Sequence, residues 1–175
     1  WQAHGPSAEG TQMAAPAPQQ AGQRASAPVP AGTQTVMFSD IDDSTVLTAR
    51  LGDRRWMEVL REHNAIVRDC IEGHSGYEVK TIGDAFMVAF QSAIDAVQCA
   101  IDIQSAFVER NENAEVPIEL QIGLHTGEPI VEDGDLYGGH INFAARIGGQ
   151  AEGGEIVISE LLKQLIQPSG AFQIS

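Results

Sequence analysis

Two β-prone segments, Tyr77 to Ile82 and Ala85 to Phe90, are separated by nothing more than Gly83-Asp84. So short a link obliges the two strands to pair antiparallel, and Gly followed by an acidic residue suits a tight hairpin turn. What flanks the hairpin then sets the architecture. Upstream, Thr35-Val36-Met37-Phe38-Ser39 is a short β-prone run that ends at Asp40-Ile41-Asp42-Asp43-Ser44-Thr45, a polar turn suited to capping a helix. Trp56, Val59, Leu60, His63, Ile66, Val67, Cys70 and Ile71 recur at three- and four-residue steps, with Gly73 as terminator, which predicts an amphipathic helix. Downstream, Ser92 is placed to cap a second helix with Ile94, Val97, Ile101 and Val108 on its apolar face, stopping near Asn111. Ile118 to Leu124 reads as the next strand. The order strand, helix, strand, strand, helix, strand is the ferredoxin-like βαββαβ pattern of an α+β fold.

Further elements decorate this core. Gly127 to Gly134 reads as a short hairpin turning near Asp133-Gly134, Gly139 to Ala151 as a helix, Glu155 to Ser159 as a strand and Glu160 to Ile166 as a last helix. Residues 1–34 hold five of the eight prolines and carry Glu9 and Arg24 as their charges, so they are expected to form a disordered linker ahead of one domain spanning 35–175. A chain of 175 residues is long enough for one such domain with a sizeable core. The missing initiator Met suggests a piece of a longer protein, with any upstream sensor or membrane anchor outside it.

Ten Lys and Arg stand against 24 Asp and Glu, a formal charge of -14 that repels polyanions and argues against nucleic-acid binding. An anionic ligand would need help, most simply from metal ions. No apolar stretch reaches the length a bilayer requires, so no membrane contact is expected from this segment. Cys70 and Cys99 fall in runs of helical period and are expected to be buried free thiols, which fits a reducing, cytoplasmic compartment.

In a βαββαβ sheet the third strand lies between the first two and runs antiparallel to both. The exit of the first strand, at Asp40, therefore sits beside the entrance of the third, at Asp84. Each Asp alone is more often a turn residue. Their convergence gives two carboxylates at one sheet edge, a donor set suited to Mg²⁺, which takes one or two carboxylates and completes its shell with water and substrate phosphates. The loop from Ile41 to Thr45 enters a helix whose free N–H groups can cradle phosphate.

Taken together, Val36-Met37-Phe38-Ser39-Asp40-Ile41, Val79-Lys80-Thr81-Ile82-Gly83-Asp84, Gly123-Leu124-His125-Thr126-Gly127 and Asp135-Leu136-Tyr137-Gly138 running into Asn142-Phe143-Ala144-Ala145-Arg146 resemble the catalytic domains of class III nucleotidyl cyclases. The likeness covers residues 35 to about 160. It implies a homodimer with shared active sites that converts a nucleoside triphosphate to a 3′,5′-cyclic monophosphate and pyrophosphate. On this resemblance Asp40, Asp84 and the Ile41 carbonyl hold two Mg²⁺ or Mn²⁺ ions, and the loop Asp42, Asp43, Ser44 and Thr45 faces the triphosphate. Lys80 and Asp135 match the base-reading pair, with Lys donating to purine N1 and Asp accepting from the exocyclic amine, a pattern that selects ATP. Guanine would present a carbonyl to that carboxylate. Asn142 and Arg146, four residues apart on one helix face, match the Asn that orients the ribose and the Arg that stabilises charge on the phosphates.

The chain departs from its relatives at three places. Asp43 stands where relatives commonly have Gly, adding negative charge to the phosphate loop. The span from Gly127 to Asp135 is short, as in a bacterial short-arm subtype. The sequence stops at Ser175, before the final strand pair where relatives often carry a further phosphate-contacting Lys. Two rivals remain: a non-catalytic cyclase-homology domain that dimerises and regulates, and a diguanylate cyclase, whose Gly-Gly-acidic-acidic-Phe hairpin is absent. His125 and His140 are assigned no role, since scattered histidines more often pack or face solvent.

Overall fold

The computed structural model describes residues 29–174. The proposed linker therefore lies, up to residue 28, outside the described residues. The chain runs β1 (Gln34–Ile41), α1 (Ser44–Leu51), α2 (Asp53–Gly73), β2 (Tyr77–Ile82), β3 (Ala85–Phe90), α3 (Ala93–Asn111), β4 (Leu120–Gly127), β5 (Ile130–Glu132), β6 (Asp135–Tyr137), α4 (Gly139–Gly148), β7 (Ile156–Ile158) and α5 (Glu160–Ile166), followed by a 3-10 turn. Five strands form one sheet in the order β2-β3-β1-β4-β7, and β5 and β6 form a separate arm. β3 lies between β2 and β1 and is antiparallel to both, as the ferredoxin-like pattern requires. β7 adds in parallel to β4.

Strand alternation sorts the side chains into two cores. Met37 and Ile41 of β1, Phe86, Val88 and Phe90 of β3, and Leu120, Ile122 and Leu124 of β4 pack against α2, α3 and α5. On the other face Val36, Met87 and Ala89 meet Leu136 of the arm and Ile141 and Ala144 of α4. α4 comes unusually near the sheet because Gly123 has no side chain: a Cβ there would stand 2.2 Å from the Gly148 backbone nitrogen.

Both tight turns follow their sequence signals. Gly83 takes a positive φ of 64°, as the first central residue of a type II′ turn does, and Asp133 and Gly134 both take positive φ, as in type I′. Ser92 caps α3, its hydroxyl accepting the Asp95 N–H at 3.2 Å. Elsewhere the structure corrects the sequence reading. The helical period between Ser44 and Gly73 is broken at Gly52, whose φ of 72° separates α1 from α2. Asp43 precedes α1 without a side-chain capping bond. The buried face of α3 is Ala96, Val97, Cys99, Ala100, Ile103 and Phe107, while Ile94 and Val108 are exposed. Small side chains let that face approach the sheet, where a pattern built on large apolar residues points elsewhere. β4 runs on to Gly127, α4 stops at Gly148, and Cys70 is half-buried rather than buried like Cys99. No helix among the described residues is long and apolar enough to cross a membrane.

Candidate active site

The register Ser39 opposite Phe86 carries Asp40 and Ile41 alongside the hairpin tip. There the Ile41 N–H donates both to Asp40 Oδ1, at 3.1 Å, and to Asp84 Oδ2, at 3.2 Å. The side chains of Asp40 and Asp84, remote in sequence, thus converge on one backbone amide. Desolvation, together with the hydrogen bond and the like charge of Asp84, pushes the Asp40 carboxyl up to about 7, although the residue is exposed at the sheet edge. The Asp40 and Asp84 carboxylates, with the backbone carbonyl of Ile41, make a set of hard oxygen donors suited to a divalent cation. No cluster of three or more His, Cys, Asp or Glu side chains suited to metal occurs among the described residues. The pair therefore fits an ion that takes its remaining ligands from water and phosphate better than one needing a closed cage.

The following loop is shaped by its backbone. Asp43 sits in the left-handed region at φ 53°, ψ 28°, which explains why glycine suits this position. Asp42 is drawn towards β4: its N–H donates to the Glu119 carbonyl at 2.9 Å and its Oδ1 accepts from Gln121 Nε2 at 2.8 Å. Ser44 and Thr45 open α1, where the first N–H groups lack helical partners.

Lys80 and Asp135 form a second group. Although 55 residues apart, they meet at 2.6 Å between Nζ and Oδ2, because the arm folds back over β2. Burial opposes ionisation of Asp135, but the Lys80 ammonium and the Leu136 N–H outweigh it and hold the carboxyl below its usual range. The Tyr137 ring lies 5.9 Å from Lys80 Nζ, a neighbour the sequence reading passed over. Its spacing of two from Asp135 on one strand was the available signal.

Asn142 and Arg146 lie on α4 and are both exposed. Arg146 borders an open depression with His125, Gly139, His140 and Phe143. A small pocket of about 170 Å³ beside Asp40 is closed instead by Ala145, Gly148 and Gly149. The structure thus joins Asp40 and Asp84 through the Ile41 amide and Lys80 to Asp135 through an ion pair, keeps Asp42, Asp43, Ser44 and Thr45 on the segment that follows β1, and leaves Asn142 and Arg146 exposed on α4. A cavity of about 700 Å³ between α2 and α3 is lined by ion-paired Arg55, Glu58, Glu62, Arg110 and Glu115 and contains none of these residues.

Comparison with known proteins gives a consistent picture. Residues 28–175 match the family described as "Adenylate and Guanylate cyclase catalytic domain". The chain is 31% identical over 160 residues to an adenylate cyclase of Podospora anserina, covering 77% of this chain but 7% of that relative's length. Among solved structures, the adenylyl cyclase CyaB from P. aeruginosa superposes with a TM-score of 0.68 at 26% identity, over 78% of this chain and 81% of that one. The catalytic core of a rhodopsin-guanylyl cyclase with converted specificity, in complex with ATPαS, superposes with a TM-score of 0.71 at 28% identity, over 77% and 81% of the two chains.

Proposed function

Because the chain belongs to the adenylate and guanylate cyclase catalytic-domain family, we propose that it converts ATP to 3′,5′-cyclic AMP and pyrophosphate in a homodimer. The ribose 3′-oxygen bonds to the α-phosphorus as the bond to the β-phosphate oxygen breaks, and the 3′-hydroxyl proton leaves to solvent. The observation that carries this reading is the convergence of Asp40 and Asp84 on the Ile41 amide. These two carboxylates and the Ile41 carbonyl would hold the divalent cations. Bound there, Mg²⁺ or Mn²⁺ supplies positive charge that polarises the phosphoryl oxygens and lowers the pKa of the attacking hydroxyl.

The other residues act on the nucleotide itself. Ser44 and Thr45 offer the unpartnered N–H groups of α1 to the triphosphate, with Asp42 and Asp43 bounding the loop. Lys80 donates to purine N1 and Asp135 accepts from the exocyclic amine, so that adenine takes up the hydrogen bonds the two make to each other in its absence. Guanine would leave the carboxylate facing a carbonyl, an unpaired polar contact. Asn142 orients the ribose, and Arg146 meets charge growing on the phosphates with a forked donor set.

That Arg146 and Asp40 line different depressions of the chain supports a site completed by a second copy. So do the exposed Ile130, Val131, Tyr137 and Phe143 on the arm and α4, an apolar surface suited to self-association. The alternative of a non-catalytic regulatory module is disfavoured by the presence together of Asp40, Asp84, Asn142 and Arg146. The test is to incubate the protein with ATP or GTP and Mg²⁺ or Mn²⁺ and resolve the products by chromatography. Cyclic AMP from ATP, in excess over cyclic GMP from GTP and lost in Asp40→Asn, is the expected result. Tight dimerisation without turnover would establish the regulator instead.

A further inference from the structure

The α4-facing side of β4 carries side chains that the proposed chemistry leaves unused. His125 is buried, with 6% of its surface exposed. Its Nδ1 lies 2.9 Å from Ser159 Oγ and its Nε2 lies 3.0 Å from His140 Nδ1. With both ring nitrogens engaged, the imidazole has a fixed tilt and no free atom to exchange a proton with substrate. His140 can close on it because Gly127 has no Cβ; one there would stand 2.3 Å from the His140 ring.

The held ring has a consequence one layer further out. His125 meets Phe143 in an edge-to-face arrangement, with centroids 4.8 Å apart and planes at 81°. Phe143 in turn stands 5.6 Å, centroid to guanidinium carbon, from Arg146. Arg146 is otherwise an exposed side chain on a helix surface, and a free Arg has rotamer entropy to lose on ordering.

We infer that His125 is a positioning residue for Arg146, acting through the Phe143 ring. The inference rests on the role proposed for Arg146 at the transition state. Ser159 and His140 lock the imidazole, the imidazole fixes the ring of Phe143, and Phe143 presents its π-surface to the guanidinium before substrate arrives. A neutral imidazole suits this arrangement, since an imidazolium would repel the nearby guanidinium. Burial, and then the neighbouring His140, hold His125 below its ordinary pKa and keep it neutral.

A double-mutant cycle on the full chain, assayed with ATP and Mn²⁺, tests this. His125→Ala and Phe143→Ala should each lower kcat about tenfold, with KM changed less than about twofold, because they displace a group acting at the transition state. The double variant should be no slower than Phe143→Ala alone. His125→Phe, which keeps an aromatic edge, should recover most of the lost rate. A second readout needs no turnover: the NMR order parameter of the Arg146 Nε–H should fall in His125→Ala and recover in His125→Phe. Should His125→Ala not fold, Phe143→Leu and His125→Phe carry the same comparison. Losses that multiply in the double variant, or an Arg146 order parameter indifferent to both positions, would overturn the inference. Arg146→Ala separates the two levels of the claim. If it is impaired while the cycle is multiplicative, the His125 link alone fails; if it turns over like wild type, the role of Arg146 and the inference fall together.

Discussion

Asp40 has a carboxyl pushed up to about 7 by desolvation and by Asp84, so near neutral pH the cation-free pair retains much of one proton. A divalent ion must displace that proton. The sign follows directly: above 7 Asp40 is ionised and cation affinity is flat, whereas below 7 protons compete. Mn²⁺ affinity, measured by calorimetry without nucleotide, should therefore weaken about tenfold per pH unit below 7. Asp84→Asn removes the like charge and should move that onset to lower pH while weakening the affinity at high pH. An affinity independent of pH from 5 to 8 would show that no proton competes at Asp40. Asp43 is a different case. Its left-handed backbone is one that glycine adopts without strain, and the charge of the Asp side chain comes on top of that conformational need.

At the scale of elements, the hairpin and its neighbours were legible because they rest on local chemistry. Gly83-Asp84 turns, Ser92 caps, and Asp133-Gly134 supplies two positive φ angles; each signal acts within a few residues. The sheet order then followed from topology, and with it the meeting of Asp40 and Asp84. What the sequence concealed was set by long-range packing. The buried stripe of α3 runs through Ala96, Cys99 and Ala100, and nothing in their size announces it. Gly123 reads as a turn-former or a weak strand residue until the backbone of Gly148 is seen against it. The alternation of His125 with Gly123 places both on one face of the strand, and that this face meets α4 is visible only in the packing. Gly123 gives the sharpest structural prediction. A methyl group there would drive α4, which bears Asn142 and Arg146, off the sheet. Gly123→Ala should destabilise the domain by about 3 kcal/mol in urea unfolding, at the upper end for overpacking. A stability within about 0.5 kcal/mol of wild type would show that α4 is free to shift.

For the molecule as a whole, one chain presents the Asp40 and Asp84 pair at one edge of its sheet, the Lys80–Asp135 pair between β2 and the arm, and Arg146 on α4, beside exposed apolar side chains of the arm. On the proposed reading, a two-fold pair of such chains brings the complementary halves together twice. The net charge of -14 leaves few cations to meet a triphosphate, which makes Lys80 and Arg146 costly to lose and gives divalent ions a large share of the neutralisation. The most direct measurement mixes Asp40→Ala protein with Arg146→Ala protein, each inactive alone, under conditions where subunit exchange is demonstrated. Random exchange places half of the chains in mixed dimers with one intact site of two, so cyclic AMP formation should return to about a quarter of the wild-type rate. Mixed dimers that form and remain inactive would contradict the shared-site account.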